Sequence, residues 1–391
     1  MNVTQLHELV NIATKETLGT ETVVNEDLSN VVDIGKEIIN TDNVDNYVKK
    51  LVNHIGKVVF VNRAYKGGVP SVFMDSWEYG SILEKISADL PQATENETWE
   101  LENGKDYSPD VFYKPSVSAK FFNSLVTFEI PLSFTEKQVK ESFSSKEQLN
   151  GFISMLQTSV ENAITIKFDS LIMRTINNMI AETLANDLDA DKDGVLNFAN
   201  GTLRAVNLLQ GFNANRAANN KVTVANAFSN PDFIKYATYQ IGLVSERMAR
   251  MSTLFNVGGK ERFTPKDYQR IVMLSDFLAS SEIYLLADTQ NADKAKLPQN
   301  IDTVPYWQGS GKAYSYDDVS RINVKTASGQ TVNVTGVIGC IFDKDALGVT
   351  NLDRRVTTNY NPKAEFYTNF YKFDAGFFND LNENFVVFYI A

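Results

Sequence analysis

Residues 187–200 read DLDADKDGVLNFAN, with three aspartates alternating from Asp189 to Asp193 ahead of Gly194. This is the spacing of an EF-hand calcium loop, which takes oxygen ligands at positions 1, 3, 5, 7, 9 and 12 and needs glycine at position 6. Counted from Asp189, the ligands are Asp189, Asp191, Asp193, the Val195 carbonyl, Asn197 and Asn200, with Gly194 and Leu196 at positions 6 and 8. Two features depart from the motif. Asn200 stands where a bidentate carboxylate belongs, and Gly201 follows where an exit helix should continue. Fewer charges and ligand atoms mean weakly bound calcium at most, and no cofactor is required. The competing reading is a polar turn at the end of a helix.

Other chemistry has little material. The chain holds two histidines, His7 and His54, and one cysteine, Cys340. That leaves nothing for a His/Cys zinc site, and any Ser-His-Asp or Cys-His catalysis would have to use one of those two histidines. Both read as surface or helix positions. Cys340 lies in the apolar stretch VIGCIF and reads as a small buried hydrophobe. WQGSGKAYS at 307–315 resembles a phosphate loop, but Gly309 is only two residues before Gly311 and Ala313 follows Lys312, so it reads as a Gly-Ser loop. Between Glu95 and Asp110 six carboxylates face one base, Lys105. A glycosidase-like pair could be drawn from them, but no neighbouring stretch supplies a sugar cleft, and a solvated or partner-facing loop explains them better. No catalytic residue is expected. Net charge is −11, which gives no overall attraction for nucleic acid or an anionic membrane. No run of about 18 apolar residues exists to span a bilayer.

The elements that position these residues are partly legible. Apolar residues at helical spacing in 24–55 predict two short helices broken at NTDN (40–43), an arm with too little apolar surface for a core of its own. KVVFVNRAYKG (57–67) and FFNSLVTFEI (121–130) read as strands, the second stopping at Pro131, with a long polar excursion between them. Residues 145–186 are the strongest signal. Ser144 or Ser145 serves as N-cap, and a broad apolar face runs from Leu149 to Ile180 without a proline. Further on, 231–255 reads as helix, 270–288 as a strand turning helical near Asp276, and 331–349 as two strands broken at Gly336. The aromatic-rich C-terminal stretch reads as long antiparallel strands. Together these give an α+β body with protruding arms.

The order of parts, and the strings NEDLSNVVDIG, MDSWEYGSILEKISADLP, FYKPSVSAKFFN, TFEIPLSFTEKQVKESF and IMRTINNMIAETL, resemble the major capsid (head) proteins of tailed bacteriophages, which have the Hong Kong 97-type fold. The resemblance implies an N-terminal arm (1–56), an extended loop with flanking strands that lies over the adjacent subunit (57–134) and a peripheral domain with a spine helix (135–199). An axial domain (200–350) and C-terminal strands returning to the peripheral domain (351–391) complete it. It further implies a structural virion protein, assembled in the bacterial host cytoplasm from pentamers and hexamers into an icosahedral or prolate head. Such a head encloses double-stranded DNA without sequence-specific binding, has scaffold, portal and head-decoration proteins as partners, and involves no membrane. Some family members cross-link a loop lysine to an asparagine. Lys66, Lys105 and Lys114 are loop lysines here, but the sequence identifies no partner for them. Two alternatives are an encapsulin-like nanocompartment shell and, in a different class, a calcium-binding adhesion or regulatory protein.

Overall fold

The computed structural model describes residues 3–19, 24–40, 43–61, 69–74, 83–88, 97–107, 110, 112, 114, 117–189, 193–287, 301–308 and 319–391. Along the chain run helices α1 (Val3–Leu18), α2 (Val31–Asn40) and α3 (Val44–Val61), then strands β1 (Phe73–Met74), β2 (Leu83–Ala88), β3 (Val117–Phe122) and β4 (Leu125–Thr135). Helices α4 (Glu136–Ser142) and α5 (Lys146–Leu188) follow, then β5 (Ala205–Asn207), α6 (Leu208–Asn213), α7 (Pro231–Met248), β6 (Gln269–Leu274), α8 (Ser275–Ala287) and β7 (Ile301–Val304). The chain closes with β8 (Ile322–Lys325), β9 (Thr331–Val334), β10 (Val337–Asp343), β11 (Leu347–Asn361), β12 (Phe366–Asn379) and β13 (Phe385–Tyr389). It divides into two compact units. One holds residues 1–78, 124–172 and 349–376, the other 79–123, 173–348 and 377–391.

The first unit contains a sheet ordered β1-β11-β12-β4. The first part of α5 lies on it. Leu149, Ile153, Leu156, Val160, Ile164 and Phe168 recur every three or four residues and are buried. Phe168 stacks on Phe373 of β12 at 5.2 Å and meets Phe73 of β1 edge-on at 5.7 Å. Ser145 starts the helix, its hydroxyl accepting from the Gln148 N–H at 3.2 Å. Pro131 does not end its strand. It sits inside β4, opposite Phe370, because β4 is at the sheet's edge, where a residue without an N–H is tolerated.

The N-terminal arm also differs from expectation. The break at 40–43 is there, but α3 runs on to Val61, so the strand read from 57 is helical over its first five residues; the remainder, 62–67, lies outside the described residues. The helix runs through a stretch of high β-propensity, a preference that depends on context. The arm also has a core. Val10 and Ala13 of α1 and Tyr47, Val48 and Leu51 of α3 are buried, and the Tyr47 ring meets Phe143 at 5.3 Å. On α2, Gly35 lies so close to Phe143 that a Cβ there would fall 2.5 Å from its side chain. Both histidines are helical: His7 Nε2 lies 2.9 Å from the Val24 carbonyl, and His54 Nε2 lies 3.2 Å from Glu16.

The second unit is built on a sheet ordered β5-β13-β10-β6-β7. Central β10 pairs antiparallel with β13 and β6, and all of its residues are buried. Cys340 sits here between Val387 and Val272, and burial pushes its thiol pKa up. Helices α7 and α8 bring Phe233, Ile241 and Phe277 into one core with Ile341 and Phe388. The helix read at 231–255 ends at Met248. The strand-to-helix turn near Asp276 and the break at Gly336 are as expected. The last part of α5 is buried nearly all round, including Thr175, Asn177 and Thr183. Asn177 Nδ2 donates to the Trp307 carbonyl at 2.8 Å. Trp307, at the head of the Gly-Ser loop, is itself buried; 309–318 lie outside the described residues. Among the described residues no helix is long and apolar enough to cross a membrane.

Candidate functional site

The polar excursion is a hairpin whose root is β2 and β3, paired antiparallel from Leu83↔Phe122 to Ala88↔Val117. It does not start from the strand read at 57–67. Lys85 and Lys120 are directly opposite each other, and like charges in that relation repel. Asp380, in the turn between β12 and β13, resolves this. Its Oδ1 accepts from Lys120 Nζ at 2.8 Å and its Oδ2 faces Lys85 Nζ at 3.0 Å. Lys85 also pairs with Glu383 at 2.7 Å, and Glu383 with Arg262 at 3.3 Å. The Asp380 side chain is 3% exposed. Burial alone would raise its pKa. The Lys120 hydrogen bond, the Lys85 charge and the Asn382 N–H outweigh it, and the carboxyl ends below its ordinary range. None of these residues stands out in the sequence, because Asp380 lies 260 residues from Lys120 and further still from Lys85.

Beyond this root the excursion turns outward. Trp99 is 96% exposed, Phe112 85% and Leu101 65%, and Glu100, Glu102, Asp106 and Asp110 are exposed beside them. Acid and exposed aromatic residues together make a contact surface.

The aspartate loop follows α5 directly. Asp189 Oδ2 accepts from the Gly194 N–H at 3.1 Å and from Gln330 Nε2 at 3.2 Å, while its Oδ1 is buried without a hydrogen-bond partner. Asp193 Oδ1 accepts from the Val195 N–H at 2.8 Å, and Asn197 Oδ1 from the Ala199 N–H at 3.2 Å. Asn200 Oδ1 takes Gln210 Nε2 at 3.4 Å. Gly194 adopts φ +85°, as the sixth position of the motif would. Asp191 lies outside the described residues. After Asn200 the chain leads into β5, without an exit helix. Among the described residues no three His, Cys, Asp or Glu side chains are grouped to hold a metal ion. What fastens this end of α5 is a residue that belongs to no recognisable motif. Arg204 grips the nearly buried Asp187, Nε to Oδ1 at 2.9 Å, and its Nη1 donates to the Asn256 carbonyl at 2.6 Å.

A long spine helix, two sheet-bearing units and a rooted hairpin with an exposed tip make up a mixed α and β fold of the Hong Kong 97 type. The chain is similar to solved phage structures at low identity. One chain from the structure of the head fiber and inner core protein gp22 of native bacteriophage P68 has TM-score 0.50 and 9% identity, over 84% of this chain and 86% of that one. A chain from the capsid structure of Staphylococcus phage Andhra has TM-score 0.48 and 10% identity over the same shares. No curated protein matches the chain. The model of the Phi29-like phage major capsid protein family matches residues 9–389, and the chain belongs to that family. It is a structural protein of the virion, a capsid subunit that associates with copies of itself.

Proposed function

We propose that copies of this chain form the pentamers and hexamers of an icosahedral or prolate head, assembled in the host cytoplasm and enclosing double-stranded DNA without reading its sequence. Scaffold, portal and head-decoration proteins are its further partners, and the chain works by assembly, not catalysis. The observation that carries this is the hairpin. Its root is fixed by an ion cluster around the nearly buried Asp380, while its tip leaves Trp99 and Phe112 bare, so the tip gains burial only against another molecule. That molecule is the neighbouring copy. A net charge of −11 suits a wall that contains nucleic acid without gripping it. The family match favours this reading over the nanocompartment shell and over a calcium-binding adhesion or regulatory protein. Negative-stain microscopy of the purified protein is expected to show shells or capsomers. Monomers alone, across a range of salt and crowding agents, would sink it.

For the aspartate loop the proposal is narrower. No cofactor is required for assembly, and calcium at Asp189, Asp191 and Asp193 is a weakly held local staple. The bare Oδ1 of Asp189 supports it, and the missing carboxylate at Asn200 keeps it weak. Shells are expected to survive a chelator intact. Calcium at ten times its Kd would then stabilise the fold by about 1.4 kcal/mol, and Asp189→Asn with Asp193→Asn should abolish that shift. Disassembly by chelator would show calcium to be structural. An unchanged melting temperature at millimolar calcium would leave the loop a polar turn.

A further inference from the structure

The acidic tip needs a receiving surface, and the second unit offers one of opposite character. Residues 247–266 hold Arg247, Arg250, Lys260, Arg262 and Lys266 against one acid, Glu261, in a chain that is strongly acidic overall. Arg262 and Lys266 are already paired, with Glu383 and Glu246. Arg247 and Arg250 are exposed and make no ion pair among the described residues. The segment folds back on itself: Ser252 and Arg262 exchange backbone hydrogen bonds at 3.0 Å each way. That bridge makes Met251 and Phe263 cross-strand neighbours, and they are 46% and 51% exposed. Leu254, 53% exposed, continues the apolar strip. An apolar strip flanked by two unpaired arginines is the complement of an apolar tip flanked by Glu100 and Glu102.

We infer that the tip of one copy, at Trp99 and Leu101, docks on the Met251–Phe263 strip of a second copy, with Glu100 and Glu102 facing Arg247 and Arg250. This deepens the capsid reading and rests on it. The favourable contacts are burial of exposed aromatic and aliphatic surface and opposite charges that fix register and speed encounter. The same charges make the contact weaken with salt.

The test is charge reversal in the full chain. Arg247→Glu with Arg250→Glu, and separately Glu100→Lys with Glu102→Lys, are each expected to cut the yield of shells by about tenfold or more, since like charges then meet across the contact. All four changes together are expected to restore it. Circular dichroism of the unassembled variants checks folding, and Leu101→Cys with Phe263→Cys gives a second readout: a disulfide-linked dimer on a non-reducing gel, absent from either single variant. Folded variants that assemble like the parent, or a quadruple variant that stays defective without any cross-link, would overturn the inference. So would normal shells of the arginine variant that retain less DNA, which would turn this surface toward nucleic acid. Failure of the parent itself to form shells would instead strike the capsid reading.

Discussion

Asp380→Asn is expected to loosen the hairpin root by about 2–3 kcal/mol while leaving both sheets folded. The substitution keeps the shape and removes the charge. Lys85 and Lys120 then face each other across the ladder with no anion between them. Removing one partner of a buried ion pair costs about 3–5 kcal/mol. The cost here falls at or below the bottom of that range because the Lys120 side chain is 41% exposed and Lys85 keeps Glu383. Amide hydrogen exchange should read it as opening of β2 and β3 increased by roughly thirtyfold or more. Lys120→Met in the Asp380→Asn background should recover part of the loss, since it removes the repulsion. Unchanged exchange in Asp380→Asn would mean that the ladder alone holds the root. The same carboxyl gives a pH dependence. Its pKa is held below the ordinary aspartate value, so its contribution is complete above that value, about 3.9, and is lost as pH falls through the lowered one. The hairpin root should therefore keep its protection at mildly acidic pH and release only in stronger acid.

What the sequence disclosed and withheld follows the range of the forces involved. Helix α5 was legible because its signals are local: a capping serine, an apolar face and no proline across 43 residues. The strand-to-helix turn at 274–275 and the break at Gly336 are local too. The extension of α3 was missed because Lys57–Val61 is rich in β-branched residues, whose strand preference is only a weak, context-dependent guide. Pro131 misled for a related reason: it marks an end only if the strand is central, and edge position is a tertiary fact. The aspartate loop was visible because its spacing is short. Arg204, which holds Asp187 next to it, was not, because the pair is 17 residues apart and follows no motif. The Lys85–Lys120–Asp380 cluster lies further out of reach, since three ordinary charged residues acquire meaning only once the hairpin and the β12–β13 turn are brought together.

Gly336→Ala is expected to be among the most damaging single-methyl changes in the chain, at about 3 kcal/mol. Two costs combine. Gly336 has φ +85°, a left-handed conformation that costs a residue with a Cβ about 1–2 kcal/mol. A Cβ there would also fall 2.1 Å from the Ile390 carbonyl oxygen, which is backbone and cannot rotate away. Forcing extra volume into packed surroundings costs about 1–3 kcal/mol. The strain falls at a junction. The Gly336 carbonyl accepts from the Ile390 N–H at 2.9 Å, its N–H donates to Ser320 Oγ at 3.0 Å, and Val337 next to it begins the central strand and accepts from Trp307 Nε1. At about 2–4 °C per kcal/mol for a unit of this size, thermal unfolding followed by circular dichroism should shift down by about 6–12 °C. Gly194 supplies the control. It has the same φ of +85°, but nothing lies within 4 Å of its would-be Cβ, so Gly194→Ala should cost only the conformational part. Equal losses at the two sites would place the whole effect in the backbone conformation and leave the Ile390 contact without consequence. A much larger loss at Gly336 would show that the close approach of β13's end to this turn is what fixes a glycine between β9 and β10.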